Sequence, residues 1–118
     1  MRVKRIVANL HVSDPNRAAG EKFYKDILGL DCLMDQGWIQ TYGASEPMMP
    51  QLSIASEGGS GTPLPRVSIE VDSLDEAAAR MKAGGFVITY GPVDEPWGVR
   101  RFFVEDPFGN LVNILQHQ

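Results

Sequence analysis

A histidine and a glutamate at equivalent places in the two halves of the chain are the first candidates for chemistry. His11 lies near the end of an alternating stretch in the first half, and Glu70 lies near the end of a similar stretch in the second. Imidazole and carboxylate groups are common general acids and bases near neutral pH. The two residues are therefore the candidate catalytic pair. The alternative is that both are half-exposed side chains near strand ends, without a chemical role.

Arg66 and Cys32 carry two other kinds of chemistry. The planar fork of donors on Arg66 suits a carboxylate or another planar anion, and the alternative is a structural ion pair with Glu70 or another acidic residue. Cys32 is the only cysteine, so an internal disulfide is excluded. Because apolar residues flank Cys32 in a short predicted strand, we expect it to pack and not to react.

Flat side chains are candidates for ligand contact. Trp38, Gln40 and Tyr42 alternate along one predicted strand, so their side chains are expected on one face. Trp97 lies in a loop that precedes Arg101, where it is a candidate to cover a site. Ordinary sheet packing and anchoring of the loop are the structural alternatives for these aromatic residues.

Composition is typical of an ordinary globular protein. The 118 residues include 11 basic and 15 acidic side chains, a formal net charge of −4, and 43% hydrophobic residues. That length predicts one domain. The basic residues are scattered, so nucleic acid is not expected as a partner. No run approaches the ~20 apolar residues that span a bilayer, and no signal peptide is recognisable, which predicts a cytoplasmic protein without a membrane partner.

The first half has the pattern of one strand, one helix and three strands. Residues 4–12 alternate as a strand with two different faces. Asp14-Pro15 predicts the start of a helix, in which apolar residues recur every four positions until Gly29. The side chains predicted to face the core from these two elements are Ile6, Ala8, Leu10, Val12, Ala19, Phe23 and Ile27. Further strands are predicted at 31–35, 37–43 and 50–56.

The second half repeats this programme after a glycine- and proline-rich joint. Ser73 and Glu76 form a capping box that predicts a helix over 74–83, stopped by Gly84-Gly85. Strands are predicted at 65–72, 86–90, 99–105 and 111–116. The prediction is a single domain over 1–118, made of half-domain repeats 1–57 and 65–118 with a linker at 58–64.

In each half the predicted helix covers one face of the sheet, so a second face remains. That face mixes polar and apolar side chains, which is the usual composition of a small-molecule pocket, so we expect the two faces to line a cavity. The residues predicted to bind a ligand are Asn9, His11, Trp38, Gln40, Tyr42, Gln51, Arg66, Ser68, Glu70, Trp97, Arg101 and Asn113.

Several stretches, with this order of elements, resemble the vicinal oxygen chelate superfamily of glyoxalases, bleomycin-resistance proteins and extradiol dioxygenases. They are His11-Val-Ser-Asp14, Glu21-Lys-Phe-Tyr24, Ile27-Leu-Gly-Leu30 and Phe103-Val-Glu-Asp-Pro-Phe-Gly-Asn110. The resemblance implies an α+β fold in which two βαβββ half-domain repeats form a mixed, strongly curved sheet around a cavity, with the helices outside. Likeness to the bleomycin-resistance members also implies a homodimer.

The resemblance also shows where metal-dependent members hold their ion. In this chain those positions carry Val7, Gln51, Arg66 and Asn113. Valine cannot ligate a metal, arginine is cationic, and the two amides are neutral, so no metal and no other cofactor is expected. His11 and Glu70 lie about 13 Å further along their strands and cannot substitute at those positions.

Two classes of function follow. The preferred one is a metal-independent small-molecule-binding protein of the glyoxalase/bleomycin-resistance type that sequesters a drug or an aromatic metabolite. The alternative is a lyase, isomerase or dioxygenase of the same superfamily with an atypical or displaced metal site. A module with a vestigial, filled cavity is a third reading.

Overall fold

The computed structural model describes residues 1–45 and 51–118, which divide into two compact units. The N-terminal unit is Val7–Leu64, and the C-terminal unit joins Met1–Ile6 to Pro65–Gln118. Strands and helices occur in both units, so the predicted α+β class is confirmed. That the chain is a duplication, and that its sheet is strongly curved, stay predictions.

The N-terminal unit has the strand order β2-β3-β4-β1. Strands β2, β3 and β4 are antiparallel neighbours, and β4 runs parallel to β1. The elements are β1 (Val3–His11), of which residues 7–11 belong to this unit, α1 (Arg17–Gly20) with a π-helical continuation (Glu21–Ile27), β2 (Asp31–Asp35), β3 (Ile39–Gly43) and β4 (Gln51–Ala55). The segment between the predicted strands 37–43 and 50–56, and the first residue of the latter, lie partly outside the described residues.

The C-terminal unit has the strand order β5-β8-β7-β6, with β5 parallel to β8 and the other neighbours antiparallel. Its elements are β5 (Val67–Val71), α2 (Leu74–Ala83), β6 (Ile88–Glu95), β7 (Val99–Glu105) and β8 (Leu111–His117). The predicted helix at 74–83 is confirmed, since α2 has the same bounds. The Ser73 hydroxyl caps it by accepting a hydrogen bond from the Glu76 backbone N–H at 3.3 Å.

The core of the C-terminal unit lies between α2 and one face of its sheet. Leu74, Ala77 and Ala78 are the buried residues of the helix, and they pack against apolar side chains of three strands. Burial of this kind is the main source of stability in a small domain. The buried strand residues in this cluster are Val71, Phe102, Val104, Val112 and Ile114.

The first helix of the N-terminal unit differs from its prediction. Its N-cap is Asn16, not Asp14, since the Asn16 side chain accepts from the Ala19 N–H at 3.1 Å. The helix then widens, and the Leu28 N–H donates to the Phe23 carbonyl five residues earlier. Phe23 and Ile27, predicted to lie in the core, are 55% and 69% exposed.

The predicted core face of β1 was also wrong. Ile6 and Leu10 are 61% and 47% exposed and Ala8 is exposed too, whereas Val7 on the opposite face is 4% exposed. Alternation along a strand separates two faces but does not say which one another element will cover. In this unit the first helix faces β3 and β4 at Gly20, where an added Cβ would lie 2.6 Å from the Tyr42 hydroxyl and 3.4 Å from the Ile54 side chain.

The segment between the halves is neither helix nor strand, as predicted, but it is a hydrogen-bonded turn and not an open joint. The Gly58 N–H donates to the Thr62 carbonyl at 2.9 Å, and the Thr62 N–H donates back to the Gly59 carbonyl at 3.0 Å. A Cβ at position 58 would lie 2.1 Å from the Pro63 carbonyl oxygen, so this position requires glycine.

Candidate functional site

The C-terminal unit has a sheet face of mixed polar and apolar side chains on the side away from α2. Pairing across three strands aligns Ser68 with Asn113 and Phe103, and it aligns Leu115 with Arg101. These residues alternate with the core residues along each strand, so they share the opposite face. We call this surface the β5–β8–β7 face.

Asn113 is the most informative residue of the β5–β8–β7 face. Its side chain is 8% exposed, and its amide Nδ2 donates to the Ser68 hydroxyl at 3.1 Å. The amide Oδ1 is buried and has no hydrogen-bond partner among the described residues. An unsatisfied buried acceptor is costly, so this oxygen is the group on this face best placed to receive a donor from a bound molecule.

A buried ion pair lies on the same face. The Arg101 guanidinium contacts the Glu95 carboxylate at 3.1 Å, and both side chains are only 3% exposed. The Tyr90 hydroxyl donates to the other Glu95 oxygen at 2.7 Å. Burial, reinforced by this hydrogen bond, raises the pKa of Tyr90. The tyrosine therefore stays a neutral donor to the carboxylate.

Three aromatic rings surround the Arg101 guanidinium. Its central carbon lies 4.7 Å from the Phe103 ring centroid, 4.9 Å from that of Trp97 and 5.5 Å from that of Tyr90. Such distances are typical of cation–π contacts. Of the three ring-bearing residues, Phe103 is buried, whereas Tyr90 and Trp97 are half-buried.

Glu70, one of the two catalytic candidates, is the centre of an ion cluster. The carboxylate is buried and contacts Arg5 Nε at 2.5 Å, His117 Nδ1 at 3.0 Å and Lys4 Nζ at 3.5 Å. Burial alone would raise the pKa of Glu70, but the hydrogen bonds and charges of His117 and Arg5 outweigh it and lower that pKa. A carboxylate held in this way is a poor proton acceptor.

The other predicted charged residues are more exposed. His11 lies exposed at the end of β1, and Arg66 lies exposed just before β5. The structural ion pair considered for Arg66 and Glu70 is not formed, and within the described residues Arg66 has no ion pair.

Residues predicted to share one face of the N-terminal unit are divided between two. Asn9 aligns with Ser53, and Ser53 with Thr41, so these three lie on one face, and Gln51 follows on the same face of β4. Gln40 aligns with Ile54 and Tyr42 with Leu52, which places both on the other face. The structure therefore does not bring Gln40 and Tyr42 together with Asn9 and Gln51.

Gln40 and Tyr42 are held by contacts within their own unit. Tyr42 is fully buried, and its ring stacks on that of Tyr24 with centroids 5.2 Å apart. Burial raises the pKa of its hydroxyl. Gln40 donates to the Asp35 carboxylate at 3.2 Å and to the Gly37 carbonyl at 3.3 Å. Trp38 is half-buried and immediately precedes β3.

Three residues of the β5–β8–β7 face and its surroundings were missed from the sequence. They are Tyr90, Glu95 and Phe103. Phe103 had a usable signal, because it lies two residues beyond Arg101 on a predicted strand and so points the same way. Tyr90 and Glu95 had none, because irregular pairing interrupts β6 between them.

The residues at the implied metal positions do not fit a metal ion. At the two positions in the N-terminal unit, Gln51 offers one neutral amide oxygen and Val7 offers no ligand atom. At the two positions in the C-terminal unit, Asn113 offers one neutral amide oxygen and Arg66 is a cation. Across residues 1–45 and 51–118, no three histidine, cysteine or acidic side chains form a group that could hold a metal.

Comparison with known families decides the classification. The family model described as Glyoxalase/Bleomycin resistance protein/Dioxygenase superfamily matches residues 3–114. The chain belongs to this superfamily. The resemblance found in the sequence is thereby confirmed, although members of one superfamily carry out different functions.

Solved structures similar to this superfamily member have low sequence identity to it. NAD-dependent benzaldehyde dehydrogenase from Legionella pneumophila has a TM-score of 0.72 at 18% identity, covering 97% of this chain and 100% of that one. An uncharacterized protein from Methanosarcina mazei has a TM-score of 0.67 at 24% identity, covering 100% and 95%. Methylmalonyl-CoA epimerase from Mycobacterium tuberculosis has a TM-score of 0.67 at 17% identity, covering 98% and 89%.

At these identities the likeness concerns the fold alone. No curated protein matches the chain. In the part of the chain that the structure describes, no helix is long and apolar enough to cross a membrane.

Proposed function

We propose that this superfamily member is a metal-independent protein that binds a small, partly aromatic molecule, such as a drug or metabolite, without changing it chemically. The observation that carries the proposal is the buried Asn113 amide oxygen without a hydrogen-bond partner among the described residues. Such a group is expected to be satisfied by a bound molecule or by water, because leaving it unsatisfied costs about 1–3 kcal/mol.

The surroundings of Asn113 favour an uncharged ligand with a hydrogen-bond donor. Glu95 already balances the charge of Arg101, so this cation does not require an anionic ligand. Phe103 and Leu115 supply buried apolar surface on the same face. A neutral aromatic molecule with an N–H or O–H group, for example a phenol or an aromatic amide, matches this chemistry.

The organisation around the site is part of the proposal. We expect one domain over 1–118, a homodimer in solution and a cytoplasmic location, as the likeness to bleomycin-resistance proteins and the composition imply. No cofactor is expected.

The first experiment measures metal content and ligand-induced melting shifts on the same preparation, purified without chelator. We expect no stoichiometric metal and no chelator-sensitive shift with Zn²⁺, Ni²⁺, Mn²⁺ or Fe²⁺. We expect a rise of the melting temperature with members of a panel of neutral phenols and aromatic amides. Stoichiometric metal would contradict metal independence.

An Asn113→Leu variant then locates the binding. Leucine has a similar size but no acceptor, so the ligand-induced melting shift should disappear. Gln36→Leu, an exposed amide in the N-terminal unit, is the matched control and should keep the shift. An unchanged shift in Asn113→Leu would contradict the proposed site.

An enzyme of the same superfamily is the second candidate, because two of the similar structures are a dehydrogenase and an epimerase. It requires a general base, and the ion cluster around Glu70 makes that carboxylate unsuitable. His11 is then the remaining candidate. Turnover that His11→Ala abolishes while ligand-induced melting shifts persist would favour this function.

A further inference from the structure

The buried ion pair of Arg101 and Glu95 also contacts the ring of Trp97, and the proposed ligand binding by Asn113 does not depend on this contact. We propose that Arg101 is a positioning residue that holds the Trp97 indole in place beside the β5–β8–β7 face, and that Glu95 and Tyr90 fix Arg101 for this purpose. If the proposed function holds, the positioned indole would cover a ligand bound at this face, and that part of the inference rests on the proposed function. The positioning itself is a property of the free protein.

Backbone hydrogen bonds hold the turn that carries Trp97. The Gly98 N–H donates to the Glu95 carbonyl at 3.2 Å and closes the turn. The Gln118 N–H in turn donates to the Gly98 carbonyl at 3.0 Å, which ties the turn to the end of the chain. Gly98 has φ +89°, a conformation that favours glycine. The turn therefore places the Cα of Trp97 but does not choose the rotamer of its ring.

Arg101 makes a direct contact with the face of the Trp97 ring. Its guanidinium carbon lies 4.9 Å from the centroid of the Trp97 ring. A planar guanidinium stacks on an aromatic face in a way that the compact ammonium of lysine does not reproduce. The contact is formed from a buried cation, where competition from water is weak.

Glu95 and Tyr90 explain why the cation stays in this position. Glu95 balances the charge, and Tyr90 donates to Glu95 while its ring also flanks the guanidinium. A buried ion pair of this kind is weak support for stability, because apolar residues of similar volume often stabilise a protein as well or better. Its orientation of a neighbouring ring is a role that apolar residues would not fill.

The experiment uses Trp97 as its own reporter. The chain has two tryptophans, so Trp38→Phe leaves Trp97 as the single one. In that background and without ligand, Arg101→Met should shift the Trp97 emission to longer wavelength. It should also raise the acrylamide quenching constant about 2- to 5-fold, as loss of a cation–π contact implies. Arg101→Lys should restore part of the difference.

The matched control is Arg100→Met. Arg100 is the neighbour on β7, and its side chain is partly exposed and contacts Asp94 at 3.4 Å. This variant should leave the emission and quenching of Trp97 unchanged. Equal changes in the two methionine variants, or none in a folded Arg101→Met, would overturn the proposal.

If Arg101→Met does not fold, Glu95→Gln replaces it and should raise the quenching in the same direction, since the cation then loses its fixed partner; unchanged quenching would overturn the proposal. Because the readout needs no ligand, a failed ligand screen would count against the proposed function and not against the role of Arg101. Conversely, an unchanged Trp97 signal would leave the Asn113→Leu test intact.

Discussion

The two helices in the described part of the chain begin with similar signals and end in different environments. Helix α2 starts at a Ser73 cap and buries Leu74, Ala77 and Ala78 in a continuous core. The first helix starts at an Asn16 cap, widens into a π-helical segment and leaves Phe23 and Ile27 exposed. A cap and an apolar repeat thus predict that a helix exists, but they do not determine how much of it is covered.

The largest expected effect contrasts two phenylalanines, one from each unit. Phe102 is fully buried against α2, and Phe23 is 55% exposed on the first helix. Phe102→Ala should lower the free energy of unfolding by about 3–5 kcal/mol. Phe23→Ala should lower it by less than about 1 kcal/mol. Guanidinium unfolding measures both, and similar losses would mean that Phe23 is buried in solution.

The next prediction contrasts two tyrosine hydroxyls. Tyr90 donates to the Glu95 carboxylate, so Tyr90→Phe should destabilise the protein by about 2 kcal/mol. The Tyr42 hydroxyl is buried without a partner among the described residues, so Tyr42→Phe should cause no loss or a small gain. Thermal and urea unfolding test the pair. A clear loss in Tyr42→Phe would show that its hydroxyl has a bonding partner in solution.

A smaller effect concerns pH and the ion cluster of the C-terminal unit. The pKa of Glu70 is lowered in the folded protein, chiefly by His117 and Arg5 acting against burial. Its contribution is therefore present above the ordinary glutamate pKa and is lost as pH falls through the lowered value. Glu70→Gln should cost about 1–2 kcal/mol at neutral pH.

The same variant should lose less stability than the unaltered protein when the pH is lowered from 6 to about 3. Melting temperatures across that range measure the difference. Glu105→Gln, an exposed carboxylate on β7, is the control and should behave like the unaltered protein. Parallel curves for Glu70→Gln and the unaltered protein would contradict the role given to the cluster.

The smallest effect compares the two caps. Ser73→Ala should cost about 1 kcal/mol, because α2 packs on the core of its unit. Asn16→Ala should cost less, because the helix that it caps buries little apolar surface. Urea unfolding followed by circular dichroism measures both. A larger loss for Asn16→Ala would show that the first helix is the better packed of the two.

Much of the local structure followed from the sequence. The bounds of β2, α2 and β7 agree with the predicted 31–35, 74–83 and 99–105, because caps, glycines and alternation act over a few residues. The superfamily was also recognisable from short stretches. The predicted face of Ser68 and Asn113 in the C-terminal unit lies opposite its core, because these residues alternate with the apolar residues of β5 and β8 that pack against α2.

Tertiary structure decided which face of each strand is buried and which distant residues come into contact. It reversed the covered face of β1, and it separated Gln40 and Tyr42 from Asn9. It also brought Arg5 to Glu70 across 65 residues of sequence. Alternation along a strand assigns its side chains to two faces. The segments that pack on each face are distant in sequence, and no local pattern encodes that packing.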